Sequence, residues 1–186
     1  MTGESPELAI VVYGEPAPGG SKKGFVPTRK DGSFARLPNG APKVVVVDDS
    51  KRNKSWRGAV VEAVRDQIAP GGELLDGYPL TDVPVELTVV FTVAKPKSTR
   101  RERPIVRPDV LKLLRSTEDA MVDAGLFKDD AQVWQYRRLA KVYPGTDPMA
   151  LSSPGAVIYV FVSKPNVQIG PPAADQLPLG VPLGSR

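Results

Sequence analysis

The chain has 186 residues, 25% of them charged, a formal net charge of +4, and neither cysteine nor histidine. Its length fits one domain with a substantial core. The two missing residue types exclude zinc fingers, thiol nucleophiles and Ser-His triads, so any catalysis depends on carboxylates, Lys or Arg, hydroxyls or an oxygen-bound metal. The net positive charge permits a polyanionic partner. The lack of cysteine fits a reducing cytoplasm.

The N-terminal half begins with a predicted strand at residues 7–14, and residues 1–14 have acids before a short apolar run and no basic region. This pattern fits neither a signal peptide nor a membrane anchor, so we expect a cytoplasmic protein. Residues 15–43 are rich in Gly, Pro and basic side chains and predict a long loop without continuous regular structure. A strand at 44–47 precedes a helix with N-cap candidates at 48–50 and apolar side chains at helical spacing, namely Trp56, Val60, Ala63, Val64 and Ile68.

The second half contains an alternating strand at 83–94, a basic segment at 95–107, and a helix from Asp109 to about Ala124 that ends at Gly125. Strands at 131–143 and 155–162 follow. The strand-helix-strand order across 83–143 predicts a βαβ-like unit. The order of all the predicted elements indicates an α+β domain with a mixed sheet and two main helices. Residues 164–186 are rich in Pro and Gly without periodicity, so we predict a domain at 1–163 and a disordered tail.

The second helix is amphipathic, and a pair of carboxylates follows it. Its predicted core face contains Val110, Leu113, Leu114, Thr117 and Met121, and its outer face contains Lys112, Arg115, Glu118 and Asp119 with Leu111 and Val122. If the next strand runs beside the one that ends near residue 94, Asp129 and Asp130 lie with the helix start near the basic segment. Carboxylates among cations suit magnesium-dependent phosphodiester hydrolysis, but spacing alone favours an ordinary charged helix face followed by an Asp-Asp turn.

The segment "RPDVLKLLRSTEDAMVDAGLFKDDAQVWQYRRLAKVY" (107–143) resembles the signature of the RusA family of Holliday junction resolvases. The family pattern has K/R-P-D at a helix start, then D-D-x-Q-V followed by a Lys. "YGEPAPGGSKKGFVP" and "SWRGAVVEAV" also resemble the family's N-terminal half, so the resemblance covers about residues 8–162. It implies a RusA-like fold and a homodimeric endonuclease that uses Mg²⁺, with Mn²⁺ as a possible substitute, to make paired nicks across four-way DNA junctions in recombination and repair.

The resemblance also implies roles for individual residues. By position, Asp109 is the first metal-binding aspartate and Asp130 the last, and Arg115 stands where the family has a catalytic lysine. Leu111 replaces the family's second aspartate, and a leucine cannot bind magnesium. Glu118 lies about 20° from Leu111 on the helical wheel and about 10 Å further along the axis, so it would bind from another side of the ion.

The resulting prediction contains three sets of residues. The predicted metal ligands are Asp109, Asp119, Asp130 and Glu118. The predicted catalytic residues are Asp109, Asp130, Lys112 and Arg115. The predicted DNA-binding residues are Lys22, Lys23, Arg100, Arg101, Arg103, Arg107 and Lys141.

Two alternatives stay open on the sequence alone. Leu111 motivates a catalytically impaired junction-binding protein of the same fold, and a weaker alternative is a regulatory module with a metal-free acidic helix. Trp56 and Trp134 could stack on bases, but their spacing favours positions in the core. The segment "GGSKKG" (19–24) lacks the spacing of a P-loop.

Overall fold

The computed structural model describes residues 5–19, 22–48 and 51–163, so the predicted tail lies outside the described residues. The elements in chain order are strands β1 (Leu8–Tyr13), β2 (Lys22–Phe25) and β3 (Val45–Asp48), helix α1 (Lys51–Ile68), strand β4 (Val85–Thr92), helix α2 (Val110–Ala124), a 3-10 turn (Asp130–Gln132), and strands β5 (Val133–Val142) and β6 (Gly155–Val162). None of the described helices is long and apolar enough to cross a membrane.

The main sheet has the strand order β1-β6-β4-β5. β4 and β5 are parallel and α2 connects them, whereas β6 runs antiparallel to both β1 and β4. This arrangement confirms the predicted α+β fold with a mixed sheet and its βαβ unit. The alternating side chains of β4 face the core, where Val85, Leu87, Val89 and Phe91 are 0% exposed, and each such burial contributes about 1.5–3 kcal/mol before other costs.

The two helices are joined by polar contacts as well as by apolar packing. Trp56 of α1 is 1% exposed, and its indole N–H donates to Oγ1 of Thr117 on α2 at 3.0 Å. The hydroxyl of Ser116 hydrogen-bonds to the buried Asn53. Trp56 therefore lies in the core, as predicted, whereas Trp134 is 59% exposed. The prediction for Trp134 is wrong because β5 is an edge strand of the sheet.

Strand β5 is irregular, and one irregularity determines which side chains face α2. Tyr136 lies opposite Leu87 and Lys141 opposite Phe91, so both face the helix side of the sheet. Residues five apart in a regular strand face opposite sides. A register shift at Arg137 inserts one extra residue, so that Tyr136 and Lys141 face the same side of the sheet. This is the geometry of a β-bulge.

Strands β2 and β3 form a separate two-stranded antiparallel sheet. We call residues 22–48 the arm. The arm corresponds to most of the long loop predicted at 15–43, together with the predicted strand at 44–47. In the chain it lies between β1 and α1.

Candidate active site

An open cleft of about 1200 Å³ lies where β5 ends and α2 begins. Its walls are residues 15–18, the start of α1, the end of the basic segment, the first turn of α2 and the end of β5. The charged side chains that line it are Glu15, Asp109, Arg52, Arg107, Lys112 and Lys141. The cleft therefore combines two carboxylates with four cations.

Asp109 is the N-cap of α2, as predicted. Its Oδ1 accepts a hydrogen bond from the backbone N–H of Leu111 at 2.9 Å. A carboxylate at this end of a helix is stabilised by the unpaired backbone N–H groups and the helix dipole. A carboxylate has about four acceptor positions, so the cap leaves Asp109 able to bind a cation or a hydrogen-bond donor in the cleft.

Lys141 holds the backbone that leads into Asp109. Its ammonium group donates to the carbonyl oxygens of Val106 at 2.5 Å and Pro108 at 2.6 Å. Burial lowers the pKa of Lys141, and the negative charge of Asp109 opposes that shift. Lys141 therefore ties the end of β5 to the two residues before the helix start, which fixes the position of Asp109.

A second acidic group lies further along α2. Glu118 was predicted on the outer face, but it is only 7% exposed. The prediction is wrong because β5 covers this flank of the helix, and the Tyr136 hydroxyl donates to the Glu118 carboxylate. Burial raises the pKa of Glu118, and the charges of Asp130 and Asp119 raise it further. We call Glu118, Tyr136 and Asp130 the distal acidic group.

The adjacent aspartates of the D-D-x-Q motif have different surroundings. Asp129 caps the 3-10 turn by accepting from the Ala131 N–H at 2.8 Å, and the side-chain oxygen of Gln132 accepts from the Asp129 N–H at 3.2 Å. Gln132 also donates to the carbonyls of Leu80 and Val83.

The exposed Asp130 instead acts electrostatically on Glu118 and Tyr136. Asp129 and Gln132 thus shape the turn, and sequence reasoning assigned no role to Gln132.

The aspartate pair does not lie near the basic segment, so that expectation is wrong. The parallel register pairs Val133, at the start of β5, with Val85, at the start of β4. The basic segment leaves the other end of β4. Asp109 is therefore near the basic segment, while Asp129 and Asp130 are at the opposite end of the strand pair.

One chain does not bring the four predicted metal ligands together. Asp109 and Glu118 are nine residues apart, which is roughly 13 Å along the helix axis. Asp119 faces α1, where its carboxylate pairs with Arg57 at 3.3 Å. Within residues 5–19, 22–48 and 51–163, no three acidic side chains are grouped closely enough to hold a metal ion.

The predicted cationic residues fall into three places. Lys112 and Arg107 line the cleft beside Asp109, and Arg115 is exposed one turn further along α2. The exposed residues of the adjacent basic segment include Arg100, Arg101 and Arg103. Lys22 and Lys23 belong to β2 of the arm, and their side chains are outside the described part of the structure. Leu111, beside Asp109, is 64% exposed.

Two further residues of the cleft are absent from the predicted sets of site residues. Glu15 and Arg52 form an exposed ion pair at 3.8 Å across its wall. They come from different elements that are far apart in the chain, and neither belongs to a recognisable motif. Only the packing of α1 beside β1 brings them together.

A comparison with protein-family models identifies the family of this chain. The family model for the endodeoxyribonuclease RusA matches residues 38–150, which is 113 of the 186 residues. The chain therefore belongs to the RusA family of endodeoxyribonucleases. The matched region includes α1, β4, α2 and β5 and is shorter than the resemblance expected from the sequence. A search of curated proteins returned no match.

Proposed function

We propose that this protein is a cytoplasmic, magnesium-dependent endonuclease that resolves four-way DNA junctions by paired nicks in recombination and repair. The observation that supports it best is Asp109, a carboxylate at the positive end of α2, in a cleft with four cationic side chains of a RusA-family chain. Cationic side chains bind phosphates, and they stabilise charge that develops on a phosphoryl group.

The carboxylates fit magnesium in their donor chemistry. Mg²⁺ takes oxygen ligands and usually keeps several waters, so one or two carboxylates suffice. Asp130 and Glu118 repel each other electrostatically, and a divalent cation would relieve that repulsion. When bound, the ion supplies Lewis-acid activation of the phosphoryl oxygen and a hydroxide nucleophile, and Mn²⁺ can supply the same chemistry. Lys112 and Arg115 then stabilise the developing negative charge.

The separation of Asp109 from the distal acidic group favours a homodimer in which two chains complete each site. In the described part of the chain, β5 is paired on one side only. Two apolar side chains of this edge strand are exposed, Trp134 at 59% and Tyr136 at 40%, and Leu111 of α2 is 64% exposed. In an isologous interface, residue i of one copy meets residue j of the other and the reverse. We therefore propose a two-fold contact that brings Asp109 of one copy to the distal acidic group of the other.

The first experiment is a nicking assay on a labelled four-way junction and a matched linear duplex, with magnesium, manganese or EDTA. We expect cleavage of the junction only, and only with metal. Asp109→Asn and Asp130→Asn should both be inactive and bind magnesium more weakly in calorimetric titration. Asn is as good an N-cap as Asp, so Asp109→Asn tests the charge without removing the cap. Undiminished metal binding by Asp130→Asn contradicts its role as a ligand.

Subunit mixing tests the shared site. If two chains complete each site, a heterodimer of Asp109→Asn and Asp130→Asn contains one site with both aspartates and one with neither. An equal mixture should then recover roughly a quarter of the wild-type nicking rate, because half of the dimers are mixed and each has one good site. If each site lies within one chain, every site lacks one aspartate and the mixture stays inactive.

Leu111 favours one alternative, a junction-binding protein that has lost cleavage. Its exposed side chain stands two residues after Asp109, on the flank where a second carboxylate of the family pattern would lie. Wild-type protein that binds the junction in calcium but does not nick it in magnesium or manganese would support this alternative. Absence of junction binding as well would support a regulatory module.

A further inference from the structure

We propose that the arm is a DNA-binding ribbon that places Phe34 against the unstacked bases at the centre of a branched DNA. This inference rests on the proposed function, because it concerns how the same substrate is held. Residues 22–37 precede the region that the family model matches, so Phe34 lies in a part of the chain that the family match does not cover.

The arm is a ribbon held together by backbone hydrogen bonds. Beyond the β2–β3 pair, the backbone N–H of Arg29 donates to the Ser33 carbonyl at 2.7 Å, and that of Leu37 donates to the Ala41 carbonyl at 2.8 Å. These bonds close two successive tight turns, which contain Gly32 and Gly40 with φ of +82° and +80°. The two turns fold residues 27–43 into a narrow projection.

The side chains of this projection form no core. None of residues 26–44 is buried, and Phe34 is 63% exposed. The charged side chains in this stretch are Arg29, Lys30, Arg36, Lys43 and Asp31, which gives four positive charges and one negative charge, a net +3. Charged residues are depleted at the centres of protein–protein interfaces, whereas cations beside an exposed aromatic ring are the combination that binds unpaired nucleic acid.

The chain segments on either side of the arm line the cleft. The chain enters the arm from Ala17 and Pro18 and leaves it toward Arg52, and all three residues line the cleft. The Gly19 N–H donates to the Lys112 carbonyl at 2.9 Å, and a Cβ on Gly19 would lie 3.1 Å from the backbone of Ser116. The base of the arm is therefore held against the first two turns of α2, beside the cleft that DNA would enter.

A branched substrate suits Phe34 better than a linear duplex does. Inserting a side chain between base pairs requires unstacking, which costs least where bases are already unpaired or mismatched. Stacking of one base on an aromatic ring changes affinity by about 5- to 160-fold on alanine substitution. We therefore expect Phe34→Ala to weaken junction binding about 10-fold, with little change for linear duplex.

The test uses full-length protein, calcium in place of magnesium, and a four-way junction with 2-aminopurine beside the branch point. Wild type should change the 2-aminopurine fluorescence, Phe34→Ala should lose both the change and the junction preference, and Phe34→Trp should retain them. Leu75→Ala is the matched control, since Leu75 is 48% exposed in the loop between α1 and β4, away from the cleft. It should behave like wild type.

The outcomes separate the two proposals. If wild type shows no preference for the junction over duplex, the proposed function fails. If wild type prefers the junction but Phe34→Ala retains both the preference and the fluorescence change, the proposed function stands and the role of Phe34 is refuted. A double change of Arg29 and Lys30 to alanine should reduce the slope of log binding constant against log salt concentration by about two, one for each lost phosphate contact. An unchanged slope would refute the role of the ribbon in DNA binding.

Discussion

Replacement of Lys141 by methionine tests whether this residue positions Asp109 or contacts DNA. The change keeps an unbranched apolar side chain and removes the ammonium that donates to the carbonyls of Val106 and Pro108. Hydrogen bonds to charged groups contribute about 1.5–3 kcal/mol each. Because Lys141 is partly exposed, we expect a total loss of about 2–3 kcal/mol of unfolding free energy, or a fall in Tm of about 4–12 °C for a chain of this size.

Two functional assays distinguish the roles. A positioning role predicts that Lys141→Met lowers the nicking rate at saturating protein about 10-fold or more, since misplaced catalytic groups are costly, while junction affinity and its salt dependence stay constant. A direct phosphate contact predicts weaker binding and a salt slope smaller by about one. Lys141→Arg should recover part of the stability and the rate, because guanidinium can donate to two carbonyls.

Either of two results would refute the positioning role of Lys141. A Lys141→Met variant that melts at the wild-type temperature shows that the two hydrogen bonds do not hold the loop. A variant that keeps its nicking rate at saturation but binds DNA with a reduced salt slope shows that Lys141 is a phosphate contact.

Three further predictions concern stability. Trp56→Ala should lose about 3–5 kcal/mol of unfolding free energy in urea titration, whereas Trp134→Ala, at an exposed position, should lose much less; equal losses contradict the core assignment. Glu86 accepts from Arg137 at 2.6 Å, and this hydrogen bond lowers the pKa of the Glu86 carboxyl. The stability from Glu86 is therefore present above the unfolded pKa near 4.5 and is lost as pH falls through the lower folded pKa. Glu86→Gln should be less stable than wild type at pH 7, and the two stabilities should converge in acid. A stability difference that does not change with pH would refute the contribution of the Glu86 charge. Asp119→Asn should lose up to about 1 kcal/mol, the range of a partly exposed ion pair, and should keep nicking, because its carboxylate faces Arg57; complete loss of nicking would restore it as a metal ligand.

The elements that sequence predicts well are those whose signals are local. The second helix was expected from Asp109 to about Ala124 with a stop at Gly125. The structure has Asp109 as N-cap, the helix at Val110–Ala124, and Gly125 with φ of 85°. An N-cap carboxylate and a left-handed C-terminal glycine act within one turn of the chain, so no distant contact is needed to predict them.

The features that sequence did not predict depend on contacts between distant segments. The burial of Glu118 requires β5 to cross that flank of α2, and the helical wheel contains no information about which strand covers it. The Asp130 turn precedes β5, and the parallel pairing of β4 with β5 places it beside the start of β4. The expectation that it lies near the basic segment therefore did not agree with the predicted βαβ unit. The carboxylates of the family pattern could therefore be named from the sequence, but the strand that covers Glu118 could not.

The bulge at Arg137 has a consequence for how this chain tolerates insertions and deletions. Tyr136 contacts Glu118 and Lys141 holds the entrance to Asp109, so one strand supports both acidic regions of α2. That double support depends on a single inserted residue. Deletion of Arg137 would restore regular alternation and turn either Tyr136 or Lys141 to the opposite face of the sheet. We therefore expect length changes within β5 to be strongly selected against, even where substitutions at the same positions are accepted.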